Sequence, residues 1–285
     1  MENFNLEAFI KASLQEDIGT GDITSLACIP YTSQSKAKLL VKQDGVLAGV
    51  GFAEAVFKQF NSELIFEKLL EDGAKVTYGD LAFYVSGSTR DILQTERLVL
   101  NVMQRMSGIA TLSAQYASLV ADLPVKILDT RKTTALNRYL EKWAVRIGGC
   151  FNYRDGLYDW FMIKDNHIKA CGGIQSAIQA VHSYQQSQGL QNTGITVEVK
   201  NLQECEELVQ IGGVSRIMFD NFELEKLREA VLFINRRFET EASGGITLST
   251  LRPVALTGVD FISIGALTHS AGSLDLSLKI QEQLV

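Results

Sequence analysis

The stretch Val125–Ile168 reads VKILDTRKTTALNRYLEKWAVRIGGCFNYRDGLYDWFMIKDNHI. It opens on a short apolar run, Val125 to Leu128, that ends in Asp129-Thr130-Arg131-Lys132-Thr133-Thr134. Leu136, Leu140, Trp143, Ala144 and Ile147 then recur at helical spacing, and a Gly148-Gly149 turn follows. A second apolar run, Trp160 to Ile163, ends in Lys164-Asp165-Asn166-His167. The order is strand, charged tip, helix, glycine turn, strand, charged tip. When parallel strands alternate with helices, the strand ends converge on one face, so polar residues from distant positions can build one site.

The cations of this stretch, Arg131, Lys132, Arg154 and Lys164, are the first chemical clue. Like charges repel strongly in a partly desolvated pocket, so gathering them on one face calls for a ligand with several carboxylates or phosphates. The alternative for any single one is a solvated side chain capping a helix.

Downstream the alternation continues. Helical spacing over Gly173–Gln186, Leu202–Ile211, Leu224–Asn235 and Leu248–Leu256 is interleaved with apolar runs at Ile195–Val199, Arg216–Phe219, Phe238–Ala242 and Phe261–Ile264. With the two runs above, six strands are predicted, too few for the eightfold barrel that usually needs about 250 residues, and an incomplete (β/α) barrel is expected. A doubly wound open sheet is the other architecture, weakened by the lack of a G-x-G-x-x-G after a first strand.

Upstream, Leu6 to Leu14 reads as a helix, followed by strand-like runs at Lys36–Val41, Gly45–Val50, Leu64–Leu70, Ala74–Tyr78 and Ala82–Gly87 around a helix over Phe52–Phe60. This is a small α+β domain. From Thr95 to about Asp122 the spacing is again helical, with Ser107-Gly108 expected to bend or interrupt it. The expected domains are residues 1–110, with the C-terminal segment free to rejoin them, and residues 111–285.

Composition narrows the function. A chain of 285 residues, 46% hydrophobic and 21% charged, can bury a full core. No apolar run approaches the roughly 20 residues of a membrane span, and the start, MENFNLEAFIKASLQED, lacks the pattern of a secretory signal, so a cytoplasmic protein is expected. Cys28, Cys150, Cys171 and Cys205 show no metal-ligand spacing and read as reduced thiols. A net charge of -6 argues against bulk electrostatic binding of nucleic acid and leaves small anions as partners.

Other tips add chemistry. Ser243-Gly244-Gly245, between a strand and a helix, and Gly265 after the last strand would let a phosphate approach backbone N–H groups, or they are plain turns. Glu198 and Asp220 end successive strands: either they neutralise lysines, or they hold ribose hydroxyls and a Mg²⁺ accompanying a diphosphate. His167 and His269 fall near these tips, whereas His182 reads as surface or helix packing.

The chain resembles the quinolinate phosphoribosyltransferase family, also called nicotinate-nucleotide pyrophosphorylase (carboxylating). That family's hallmark runs roughly D-T-R-K-T-x-P-G-x-R, E-K-x-A-V-x-x-G-G-G-x-N-H-R-x-G-L-x-D and L-I-K-D-N-H. Matching residues are Asp129 to Thr133, Arg138, Glu141-Lys142, Ala144-Val145, Gly148-Gly149, Asn152, Arg154, Gly156-Leu157, Asp159 and Ile163 to His167. TERLVLNVMQRMSGIAT, the segment Glu16 to Thr24 and IGALTHS extend the likeness over nearly the whole chain.

The resemblance implies an incomplete barrel of about seven parallel strands beside a smaller α+β sandwich-like domain. It implies phosphoribosyl transfer from phosphoribosyl pyrophosphate to quinolinate, with loss of CO₂ and pyrophosphate, giving nicotinate mononucleotide. Arg131, Arg154 and Lys164 would clamp the carboxylates, joined by Arg97 from the second subunit of a homodimer. Lys132 and a Mg²⁺ held by Glu198 and Asp220 would stabilise phosphate charge, and Ser243, Gly244, Gly245, Gly265 and His269 would cradle phosphate. Three departures stand out: Ala135-Leu136 for Pro-Gly, Cys150 for the third Gly, and Tyr153 for the His. Tyr153, Cys150 and Asp155 predict a loop with more side chain and less positive potential, and weaker quinolinate turnover that Tyr153→His would raise. A relative using another planar carboxylic acid, or a non-catalytic ligand-binding member, is the alternative.

Overall fold

The computed structural model describes residues 4–281. In chain order the elements are α1 (Leu6–Ile18), α2 (Ile23–Cys28), β1 (Gln34–Val41), β2 (Gly45–Val46), α3 (Val50–Phe60), β3 (Ile65–Lys68), β4 (Lys75–Val76), β5 (Leu81–Ser88), α4 (Thr89–Leu119) and β6 (Lys126–Leu128). Then come α5 (Arg138–Ile147), β7 (Phe161–Ile163), α6 (Asp165–Cys171), α7 (Ile174–Gln188), β8 (Ile195–Val199) and α8 (Leu202–Ile211). The chain ends with β9 (Arg216–Asp220), α9 (Leu224–Ile234), β10 (Glu239–Ser243), α10 (Leu248–Ala255), β11 (Phe261–Ser263), α11 (Ala266–His269) and β12 (Leu276–Ile280). Among the described residues no helix is long and apolar enough to cross a membrane.

Two compact units result: Met1–Ala114 with Thr134–Gly149 and Ser270–Val285, and Gln115–Thr133 with Cys150–His269. In the first, four strands pair in the order β12-β1-β5-β3, antiparallel throughout. Strict alternation in β1 buries Ala37, Leu39 and Val41 on one face. Phe57 of α3 meets Phe83 of β5 edge to face at 6.0 Å, closing an aromatic core.

Several local expectations change here. The run Gly45–Val50 is a strand only over Gly45–Val46, because Val50 already opens α3. Ser107-Gly108 does not interrupt α4: the Ser107 hydroxyl bonds the backbone N and O of Ala48, at 2.9 and 3.1 Å. A Cβ on Gly108 would stand 1.8 Å from the Gly272 carbonyl oxygen, so this glycine serves a close approach, not a break. Leu136 lies outside α5, at φ 62° and 90% exposed, despite its helical spacing. The segment Thr134–Gly149, expected in the barrel domain, lies in the first unit. There the fully buried Glu141 accepts from both Arg105 Nε and Nη2, at 3.1 and 3.0 Å, and from the Thr134 hydroxyl at 2.8 Å.

The second unit is the barrel expected from the sequence, with six parallel strands in the order β6-β11-β10-β9-β8-β7. A lone parallel bridge from Leu128 to Phe151 marks a seventh position. Strands such as β9, buried at Arg216, Ile217, Met218 and Phe219, are covered on both faces, as parallel strands in α/β folds must be.

Candidate active site

Side chains of a strand alternate between its two faces, so one parity of each barrel strand points inward. The residues lining the main cavity follow that rule: Met162 and Lys164, Glu198, Met218 and Asp220, Ser243, Ser263 and Gly265 stand at alternate positions of β7 to β11 or just past their ends. Thr130, Arg131 and Lys132 join from beyond β6, and Tyr153 and Arg154 from the loop before β7. The cavity measures about 590 Å³. Of the site residues expected from the sequence, Lys132, Lys164, Glu198, Asp220, Arg131, Arg154, Tyr153, Ser243, Gly244, Gly245, Gly265 and His269 all line it. Arg97 does not; it is exposed on α4 in the first unit.

The cations are balanced unevenly. Lys164 Nζ pairs with Glu198 Oε2, whose side chain is 11% exposed. Burial, reinforced by the neighbouring Arg131 charge, holds the Arg154 guanidinium below its ordinary pKa. Two guanidiniums close enough to repel one another favour an anion beside them. His167 acts within its own turn, where its Nδ1 accepts from the Lys164 backbone N–H at 3.0 Å, at the start of α6.

The glycines are sterically required. Gly244 has φ 100°, and a Cβ there would stand 2.3 Å from Asn221 Oδ1. Past Gly244-Gly245, Thr247 caps α10 by accepting from the Thr250 N–H at 3.3 Å. A Cβ on Gly265 would meet Lys132 Cδ at 2.9 Å and His269 Nε2 at 3.0 Å. Lys132 is further fixed through its carbonyl, which accepts from the Thr268 hydroxyl at 2.8 Å.

Beneath the cavity lies a polar network that strand-end reasoning missed. Arg216, its side chain 7% exposed, donates from Nη1 to Glu241 Oε2 at 3.1 Å and from Nη2 to Glu239 Oε2 at 2.9 Å. Its guanidinium carbon also lies 3.7 Å from the Phe261 ring centroid. The fully buried Glu241 accepts from the Ser263 hydroxyl as well. Above them, the Tyr153 hydroxyl lies 2.6 Å from Thr196 Oγ1, which also accepts from Trp160 Nε1 at 2.8 Å. Burial, followed by the Glu241 charge, pushes the Tyr153 hydroxyl pKa up, so the phenol stays neutral.

The expected loop chemistry is corrected accordingly. Cys150 is buried outside the cavity, its thiol pushed up to about 12 by burial and then by Asp129. Asp155 is outside it too, its backbone N–H held by Asp159 Oδ2 at 2.6 Å. Neither adds bulk to the ligand space. The two hard carboxylates at neighbouring strand ends, Glu198 and Asp220, suit a cation that completes its shell with ligand oxygens. Among the described residues no group of three or more His, Cys, Asp or Glu could hold a metal alone.

Comparison with known proteins agrees with this architecture. Residues 109–279 match the family model for the quinolinate phosphoribosyl transferase C-terminal domain, and residues 22–107 match its N-terminal domain. The chloroplastic nicotinate-nucleotide pyrophosphorylase [carboxylating] of Arabidopsis thaliana is 44% identical, over 99% of this chain and 84% of that one. A probable nicotinate-nucleotide pyrophosphorylase [carboxylating] of Bacillus subtilis is 39% identical, over 98% and 95%. The crystal structure of NadC from Streptococcus pyogenes superposes with a TM-score of 0.90 at 39% identity, covering 97% of each chain. With both of its domains matched and the likeness running nearly end to end, this chain belongs to the quinolinate phosphoribosyltransferase family.

Proposed function

We propose that the protein transfers the phosphoribosyl group of phosphoribosyl pyrophosphate to the ring nitrogen of quinolinate, releasing pyrophosphate and CO₂ and leaving nicotinate mononucleotide. The observation that carries this reading is one cavity that combines Arg131, Arg154 and Lys164 with the Ser243-Gly244-Gly245 turn, Gly265 and the Glu198 and Asp220 carboxylates. The first group suits a dicarboxylate and the second a sugar diphosphate. Arg131 and Arg154 orient the carboxylates, Lys164 is held toward them by Glu198, and Lys132 meets the charge that develops on the departing pyrophosphate. His269, against Gly265, borders the phosphate end. Glu198 and Asp220 would hold Mg²⁺, which when bound neutralises diphosphate oxygens.

The test is to supply phosphoribosyl pyrophosphate, Mg²⁺ and a panel of pyridine and other planar carboxylic acids, and to follow pyrophosphate and CO₂. Quinolinate should support release of both, and omission of Mg²⁺ should abolish it. Release with a different acid only would overturn the substrate assignment.

The reading includes a homodimer in which Arg97 serves the neighbouring copy's site. Its support is the exposure of Arg97 on α4, within a segment that resembles the family motif. Arg97→Ala and Lys132→Ala should each be nearly inactive alone. Mixed under subunit exchange, they should regain about a quarter of the wild-type rate, because one site in each mixed dimer carries neither lesion. Absence of recovery, with exchange demonstrated, would confine Arg97 to its own chain.

A further inference from the structure

Tyr153 stands where the family motif has histidine, and its hydroxyl is already committed. An indole N–H can only donate, so Thr196 Oγ1 is the acceptor toward Trp160. The Tyr153 hydroxyl lies 2.6 Å from that same oxygen. Trp160 and Tyr153 are thus joined at one side-chain oxygen. Thr196 is fully buried, out of reach of any ligand.

We propose that Thr196 is a positioning residue for the aromatic acid: it fixes Tyr153 and Trp160 at a single oxygen, so that Tyr153 walls the cavity with its ring and does not donate to a carboxylate. This rests on the proposed reaction and adds to it how the pyridine acid is recognised. Its charge is read by Arg131, Arg154 and Lys164, and its flat ring is read by Tyr153. The Tyr153 ring is itself held from two sides, with the Arg216 guanidinium carbon 5.0 Å from its centroid and the Trp160 ring edge-on at 6.4 Å. An imidazole at position 153 is shorter and would abandon Thr196. Tyr153→His is therefore expected to raise the KM for quinolinate, the reverse of the expectation from sequence.

The experiment is a set of variants: Thr196→Val, Thr196→Ser, Tyr153→Phe and the double Thr196→Val/Tyr153→Phe. Thr196→Val should raise the KM for quinolinate about three- to tenfold, the size of one or two lost hydrogen bonds, with the KM for phosphoribosyl pyrophosphate unchanged. Thr196→Ser, which keeps the hydroxyl, should restore it. The double variant should lose less than the product of the two single effects, because both cut the same bond. An unchanged quinolinate KM in Thr196→Val, equal rises for both substrates, or no rescue by serine would overturn the proposal. If the wild type turns over no quinolinate at all, it is the reading of the reaction that falls. The tether is then decided by Tm alone, where sub-additive losses in the double variant support it and full additivity refutes it.

Discussion

Lys164→Ala is expected to lower kcat/KM for quinolinate by on the order of 100- to 1,000-fold, more than Lys132→Ala, while the protein stays folded. Both lysines line the cavity, and each loses a preorganised positive charge from a site built for anions. The difference lies in what is left behind. Lys164 is paired with Glu198, whose side chain is 11% exposed, so its removal also leaves an unopposed carboxylate facing an anionic substrate. That penalty is one of binding, whereas the loss of Lys164 itself is felt at the transition state. Lys164→Arg, which keeps a cation beside Glu198, should accordingly recover part of the KM. Steady-state kinetics on the three variants, with circular dichroism to confirm folding, would check this. Near-normal rates in Lys164→Ala would remove the lysine from the site.

Glu241→Ala should cost about 2–4 kcal/mol of stability, because it leaves a buried guanidinium nitrogen and a buried hydroxyl without an acceptor. Glu241 is fully buried and accepts from Arg216 and Ser263. Truncation leaves Arg216 Nη1 and the Ser263 hydroxyl without their acceptor, and Arg216 keeps only Glu239. Glu239 is the internal control, because it bonds the same arginine from a side chain that is 47% exposed. Solvent screens that pair, and Glu239→Ala should cost less than about 1 kcal/mol. Urea unfolding of both variants measures the contrast, and equal losses would show that burial of Glu241 is not what matters.

The strand tips are legible in the sequence because a short apolar run ending in a polar cluster leaves little choice of reading, and lining residues from Thr130 to His269 are found that way. The floor of the site is not. Thr196, Arg216, Glu241 and Ser263 lie inside segments that read as plain strands, and only the inward parity of each strand separates them from residues facing the helices. Writing the barrel strands in register and marking polar residues at inward positions would have exposed them. Other misses have local causes. Leu136 falls at helical spacing yet adopts a positive φ that leucine rarely takes. At Gly108 a glycine that makes room for a neighbouring backbone looks, in one dimension, the same as one that ends a helix. The short helix α6 is hidden by Gly172-Gly173, which draw the eye to a turn.

The sheet order of the first unit bears on how the chain is made. Strand β1 is held on one side by β5 and on the other by β12, with Val41 opposite Leu276. During synthesis β1 leaves the ribosome before every barrel strand, and its second partner, β12, follows them all. Until then one edge of β1, with its row of unpaired N–H and C=O groups, stays open to strands from other nascent chains. The barrel unit, Gln115–Thr133 with Cys150–His269, has all its strands translated by that time. The first unit is thus completed after the barrel unit, and its yield depends on β12 emerging before that edge finds a foreign partner.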